Sequence, residues 1–293
     1  MNELDECKLC PFECKVNRNE GKIGRCKARN KVKIGLYSLH YDEEPCISGK
    51  KGSGTVFFSN CNLKCIFCQN YKISCESKGE EITTNELSEI FLKLQGKGAN
   101  NINLVTAVPY VIQIIEAIRI ARNNGLIIPI LYNTSGYESI ETLKKLEGYI
   151  DIYLPDFKYY DNKLATRLSN VTNYREVTTK ALLEMKRQVG KNIYDENGIL
   201  KRGMIIRHLV LPENIQNSKD VLKWIKNNMG DDITISLMAQ YFPTYKALED
   251  NQINRKLTPD EYNEIEEYLY KLNIDNGYIQ DLDEEEEKYV PKF

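Results

Sequence analysis

The segment Ser59-Asn60-Cys61-Asn62-Leu63-Lys64-Cys65-Ile66-Phe67-Cys68-Gln69-Asn70 sets three thiols at C-x3-C-x2-C spacing. Three thiolates this close can wrap one side of an iron–sulfur cube. Such clusters are commonly held by four cysteines. A set of three leaves one iron open to another ligand, much as a catalytic zinc keeps an open position. A second set lies upstream: Cys7-x2-Cys10-x3-Cys14, then Cys26 after Gly21 and Gly24. Four thiolates make a full ligand set for zinc or for an auxiliary iron–sulfur cluster. Cys10-Pro11 is like ferredoxin runs although the spacing differs, and the set is not a pair of C-x2-C zinc knuckles. A second N-terminal metal centre is expected, more structural than catalytic. Cys46 can be an alternative ligand, a thiol near the active site or a plain buried thiol, and Cys75 carries no assigned role.

All nine cysteines fall within the first 75 of 293 residues. A disulfide scaffold would need export, and Met1 to Cys14 is polar, without the apolar run of a secretory signal. Crowded cysteines in a reducing compartment point to metal, so a cytoplasmic location is expected. The formal net charge of -2, with 28% charged and 42% hydrophobic residues, gives no basic footprint for nucleic acid. No apolar stretch is long enough to span a membrane.

The elements that must position the triad are readable from apolar pattern. Strands are expected at Gly54–Ser59, Asn101–Ala107, Leu126–Thr134, Asp151–Phe157, Met204–Pro212 and Ile233–Tyr241. They are rich in apolar and β-branched residues with little alternation, as in buried parallel strands. Helices are expected at Thr83 to Gln95 (opening on a capping-box-like TTNE), Pro109 to Asn124, Ser139 to Glu147, Asp161 to Gln188, Ser218 to Asn228 and Pro259 to Leu272. Six β–α units argue for a parallel α/β fold, open or barrel-like, with its chemistry at the C-terminal ends of the strands. The triad directly follows the first of these strands. Three regions separate: a cysteine-rich extension over 1–50, too small for its own core and so held by metal; the α/β region over 51–280; and an acidic tail over 281–293.

An aromatic residue before the third cysteine of a C-x3-C-x2-C motif, on the loop after the first strand of a β–α chain, resembles the radical S-adenosylmethionine (SAM) superfamily. The stretches EEPCISG, GSGTVFF, CNLKCIFCQN, NINLVT, YNTSGYE, DIYLPDFKY, RHLVLP and SLMAQY resemble its largely uncharacterised branch related to pyruvate formate-lyase activating enzyme. The resemblance implies a partial (β/α)6 TIM-like barrel with an N-terminal metal-binding extension. It implies a [4Fe–4S] cluster on Cys61, Cys65 and Cys68, with SAM as the ligand of the open iron. A low-potential electron, from a donor such as flavodoxin or ferredoxin, then breaks SAM into methionine and a 5′-deoxyadenosyl radical that takes a hydrogen atom from substrate.

The resemblance also implies roles for single residues. Phe67 would flank the adenine. A GGE-like motif is usual at the end of the second strand; Asn103-Leu104-Val105-Thr106-Ala107 stands there instead, leaving backbone carbonyls and the Thr106 hydroxyl as contacts. Asn133, Thr134 and Ser135 suit the ribose hydroxyls and SAM carboxylate, although a plain helix cap explains such residues as well. Asp156 and Lys158 correspond to a D-x-K beside SAM and substrate; a structural ion pair is the alternative. Arg207 is the cation expected against the SAM carboxylate. Only one of Arg207 and His208 can face the interior, because successive strand residues point to opposite faces. His208 is a catalytic candidate weighed against a satisfied core histidine, and His40 a weaker one. Gln240 and Tyr241 could line the substrate side.

The expected function is thus reductive SAM cleavage on an unnamed protein, peptide or small-molecule substrate, with activation of a glycyl-radical enzyme as one form of it. The rival is an iron–sulfur electron carrier or metal-binding partner without SAM chemistry, which the missing GGE-like motif favours.

Overall fold

The computed structural model describes residues 3–282. The acidic run expected over 281–293 therefore lies almost wholly outside the described residues. Among the described residues ten strands form one sheet: β1 Val32–His40, β2 Ser53–Phe58, β3 Glu80–Ile82, β4 Ile102–Val105, β5 Ile130–Thr134, β6 Ile152–Pro155, β7 Ile193–Tyr194, β8 Leu200–Leu209, β9 Thr234–Met238 and β10 Gly277–Ile279. Their order is β10-β9-β8-β6-β5-β4-β2-β1-β3, with β7 on β8. All six strands expected from sequence are present, parallel and neighbours in the sheet. β10 adds a seventh parallel strand. The antiparallel β1, with β3 beyond it, extends the other edge and was not foreseen. The sheet ends at β10 and β3 rather than closing on itself, which is an α/β partial barrel.

The helices are α1 Pro45–Ser48, α2 Tyr71–Ser74, α3 Thr84–Gly96, α4 Val111–Asn123, α5 Ile140–Leu146, α6 Asn162–Ser169, α7 Tyr174–Val189, α8 Ile215–Met229 and α9 Pro259–Lys271. The TTNE signature is a true capping box: Thr83 and Glu86 bond each other's backbone amides. The single helix expected over 161–188 is two, because Asn170 ends α6 in the left-handed region (φ 55); asparagine tolerates that conformation better than most residues.

Two cores explain why the strands show so little alternation. One face of each strand packs on the helices, through residues such as Val56, Leu104, Tyr132, Tyr153, Ile206 and Leu237. The other faces the barrel interior, where Leu131, Ile152, Leu154 and Ile205 close on Cys46 and Ile47 of α1. Burial on both faces makes parallel strands read as continuous apolar runs. α1 is thus a plug for the barrel floor. Two asparagines fasten it, Asn100 Nδ2 donating to the Ser48 carbonyl at 2.6 Å and Asn101 Nδ2 to the Ile47 carbonyl at 3.0 Å.

Residues 3–31 contain no helix or strand. Their anchor is Arg18, 1% exposed, which donates to the Pro109 carbonyl at 2.6 Å and lies over the Tyr110 ring. Among the described residues no helix is long and apolar enough to cross a membrane.

Candidate functional site

A cavity of about 730 Å³ opens at the C-terminal ends of the parallel strands. Its lining includes the thiol-bearing triad Cys61, Cys65 and Cys68 together with Phe67, Thr106, Asn133, Ser135, Asp156, Lys158 and Arg207. Cys61 and Arg207, 146 positions apart in the chain, thus meet in one place, as strand order requires of a parallel barrel.

The triad sits on the loop after β2. Each thiol has a local polar partner: Ser169 Oγ donates to Cys65 Sγ at 2.9 Å, Cys68 Sγ lies 3.1 Å from Ser74 Oγ, and Cys61 Sγ lies 3.7 Å from Asn62 Oδ1. Tyr159, 2.7 Å from Ser169, continues the support of Cys65. Burial, with some help from neighbouring thiols, pushes the Cys68 thiol up to about 12 and Cys61 higher. Cationic iron is what would draw such protons off, since the thiolate is the metal ligand. The Leu63 and Asn70 amides donate toward Cys61 and Cys68, two residues ahead of each sulfur, and favour the thiolate. Cys75 lies within electrostatic reach of Cys65 and Cys68 but does not line the cavity.

Further round the wall, Thr106 ends β4 with φ 62, a left-handed conformation uncommon for a β-branched residue and concentrated at ligand sites. Ser135 Oγ is buried there without a hydrogen-bond partner. The Ser135 loop is fixed by Tyr174, whose hydroxyl donates to the Ser135 carbonyl at 2.7 Å and accepts the Lys158 amide at 3.1 Å. Gly136 permits this approach: its φ is +75, and a Cβ there would meet the Asp156 carbonyl oxygen at 2.4 Å. Behind the loop Glu138 accepts from Thr134, and burial pushes its carboxyl up to about 8.

Lys158 Nζ lies 2.5 Å from Asp156 Oδ2, with both side chains at most one-fifth exposed. Burial pulls the Lys158 ammonium down, but Asp156 and Cys65 more than offset it and hold the charge. Arg207 is already paired with two carboxylates that sequence reasoning missed as site groups: Glu43, and Glu44, whose Oε1 is 2.8 Å from Arg207 Nε. His208 corrects the expectation of a catalytic histidine. It is wholly buried on the opposite face of β8, with Nδ1 2.7 Å from the Phe157 carbonyl and Nε2 2.8 Å from Ser218 Oγ of α8. His40 lines the cavity instead, as does Gln240, whereas Tyr241 is buried and bonds the Ile253 carbonyl.

The N-terminal thiols form a separate group: Cys7, Cys14 and Cys26 all act on Cys10, which burial chiefly pushes up to about 12. The Phe12 and Ala28 amides donate toward Cys10 and Cys26 with the same two-residue offset seen in the triad. The Arg25 amide donates to Cys14 at 3.4 Å, and its guanidinium to the Asn62 carbonyl at 3.0 Å, tying this lobe to the cluster loop. Among the described residues no three His, Cys, Asp or Glu side chains already converge on the position of one metal ion. A single zinc draws sulfurs to about 2.3 Å from one point; three thiols around the face of a four-iron cube need not meet in that way.

Residues 55–225 match the family model described as the radical SAM superfamily, and the chain belongs to that superfamily. It is 32% identical over 290 residues to the uncharacterized protein MJ0674 of Methanocaldococcus jannaschii, covering 94% of this chain and 78% of that one. MJ0808 of the same organism is 24% identical over 263 residues, covering 83% and 72%. Similar solved structures are Streptococcus suis SuiB bound to S-adenosylmethionine (16% identity, TM-score 0.51, 75% of this chain and 48% of that) and anSMEcpe with bound AdoMet (15%, 0.50, 75% and 61%). The FeFe-hydrogenase maturase HydG from Carboxydothermus hydrogenoformans is a third (15%, 0.51, 78% and 54%). At such identities these show the fold, and the chain spans about half to three-fifths of their length.

The family brings a [4Fe–4S] cluster and SAM, and the cavity fits them. A three-thiol set matches a cluster with one open iron. The unpartnered Ser135 hydroxyl and the turned Thr106 backbone offer polar contacts for an amino-acid-bearing nucleoside, and the volume lies in the range of drug-sized ligand sites.

Proposed function

We propose that this chain is a radical SAM enzyme acting on a substrate held in the barrel cavity, with Cys61, Cys65 and Cys68 as its cluster ligands. The observation that supports this best is the meeting of the triad, Thr106, Asn133, Ser135 and the Asp156–Lys158 pair in one cavity. When bound, the cluster and SAM supply electron-driven cleavage to a 5′-deoxyadenosyl radical. The chain's own work is positioning and the exclusion of water. In this reading Phe67 flanks the adenine, Asn133 and Ser135 hold polar groups of SAM, and Tyr174 keeps the Ser135 loop against Asp156. Lys158 stays charged between Asp156 and Cys65.

The finer reading, an activating-enzyme-like oxidoreductase, rests on the resemblance of its motif stretches. α1 closes the barrel floor, and in this reading the substrate is a small molecule or one residue of a peptide, such as a glycine of a glycyl-radical enzyme. A low-potential donor such as flavodoxin or ferredoxin supplies the electron. The N-terminal thiols hold a second metal centre, zinc or iron–sulfur, supported by amides aimed at Cys10 and Cys26 as they are at Cys61 and Cys68.

The test is anaerobic reconstitution with iron, sulfide and zinc analysis, followed by a strong reductant and SAM. Formation of 5′-deoxyadenosine is expected. Its absence from protein with a correctly loaded cluster would return the chain to the electron-carrier reading.

A further inference from the structure

Apart from the exposed Asp42, the charged groups of the cavity run in sequence from the cluster loop to the barrel floor. Cys65 acts on Lys158, Lys158 pairs with Asp156, Asp156 acts on Arg207, and Arg207 pairs with Glu43 and Glu44. Lys158 and Asp156 cancel. At the floor one guanidinium faces two carboxylates, leaving an excess negative charge on side chains that are only 8% and 5% exposed. Buried charges are costly unless paired, so this excess calls for a cation. A second observation points the same way. Asn103, wholly buried, gives its Nδ2 to Glu43 Oε1 at 2.8 Å, while its Oδ1 has no partner. The excess carboxylate asks for positive charge, and the unfilled acceptor beside it asks for a donor. An ammonium supplies three.

This rests on the reading above, in which SAM occupies the open iron beside the triad. The floor lies beyond the Asp156–Lys158 pair from the triad and is left for the second reactant. Glu43 and Glu44 stand there because β1, antiparallel to β2, delivers the chain to the N-terminal end of the parallel strands, where α1 fills the floor.

We propose that Glu43 and Glu44 hold a positively charged nitrogen of the substrate, which is therefore a small amine or an amine-bearing residue rather than a neutral or anionic molecule.

The probe is methylammonium, titrated anaerobically into cluster-loaded, SAM-bound protein and followed by saturation-transfer NMR, with methanol and acetate as neutral and anionic controls. Methylammonium is expected to bind saturably and the controls not to. Glu43→Gln and Glu44→Gln, made separately and checked for folding by circular dichroism, are expected to weaken it by about tenfold or more. No saturable binding, or equal binding by both folded variants, would overturn the proposal. SAM affinity of the same variants is measured by equilibrium dialysis. A loss of about tenfold in both would assign the carboxylates to the ammonium of SAM and overturn the substrate assignment. 5′-Deoxyadenosine formation by the unaltered protein reports separately on the enzyme reading.

Discussion

Arg207 and His208 are neighbours in β8 and face opposite sides of the sheet: Arg207 reaches Glu43 and Glu44 in the cavity, while His208 reaches the Phe157 carbonyl and Ser218 on the helix side. The pleat, not residue chemistry, decides which of the two is available to a ligand.

His208 therefore acts on stability. Burial holds its imidazole neutral, with the pKa lowered to about 4. The unfolded chain binds this proton near pH 6.5 and the folded chain only near 4. Stability is thus complete above about 6.5 and falls as pH drops through that window, by about 3 kcal/mol in all. His208→Phe orphans the Phe157 carbonyl and the Ser218 hydroxyl, costing about 2–4 kcal/mol at pH 7, and removes this pH dependence. Denaturant unfolding across pH 4–7.5 measures both, and a variant of unchanged stability would contradict the assignment.

Glu138 titrates in the opposite sense. Its carboxyl is raised to about 8 by burial, so its contribution is complete below about 4.5 and is lost as pH rises through 8. Glu138→Gln keeps the shape and cannot ionise. It is expected to stabilise the fold at pH 7.5 by a few kcal/mol, growing by about 1.4 kcal/mol for each pH step of one above the ordinary carboxylate range. An unchanged unfolding midpoint at pH 7.5, or a gain that does not vanish near pH 4.5, would contradict this.

Tyr174→Phe removes the hydroxyl shared by the Ser135 carbonyl and the Lys158 amide. A stability loss of about 1–3 kcal/mol is expected, with SAM affinity weakened about tenfold, read by equilibrium dialysis. Lost stability with unaltered SAM affinity would make Tyr174 a packing residue only.

Much of the site was legible because its chemistry is local. The triad lies in one short loop, and β2, β4, β5, β6, β8 and β9 are buried on both faces, so their runs stand out. β1 was missed because its residues are mostly half-exposed, which breaks the apolar run. Glu43 and Glu44 read as surface acids, because their partner Arg207 lies more than 160 residues away and meets them only when α1 plugs the barrel. The side of β8 that His208 faces depends on strand register, which the pattern around Met204–Pro212 did not fix.

Cys75 bears on whether one iron stays open, since a fourth thiolate would close the set. It lies near Cys65 and Cys68 but outside the cavity lining. Cys75→Ala is expected to retain a full cluster and SAM cleavage. Loss of iron to the level of a Cys65→Ala variant would make Cys75 a ligand.

An enzyme, unlike an electron carrier, needs an iron on Cys61, Cys65 and Cys68 left open for SAM. Electron paramagnetic resonance of the anaerobically reconstituted, reduced protein, with and without SAM, tests it most directly. A [4Fe–4S] signal that shifts on adding SAM, and that is absent from Cys65→Ala, is the result expected. A spectrum indifferent to SAM, from protein with the full cluster, would contradict the account and leave an electron carrier in its place.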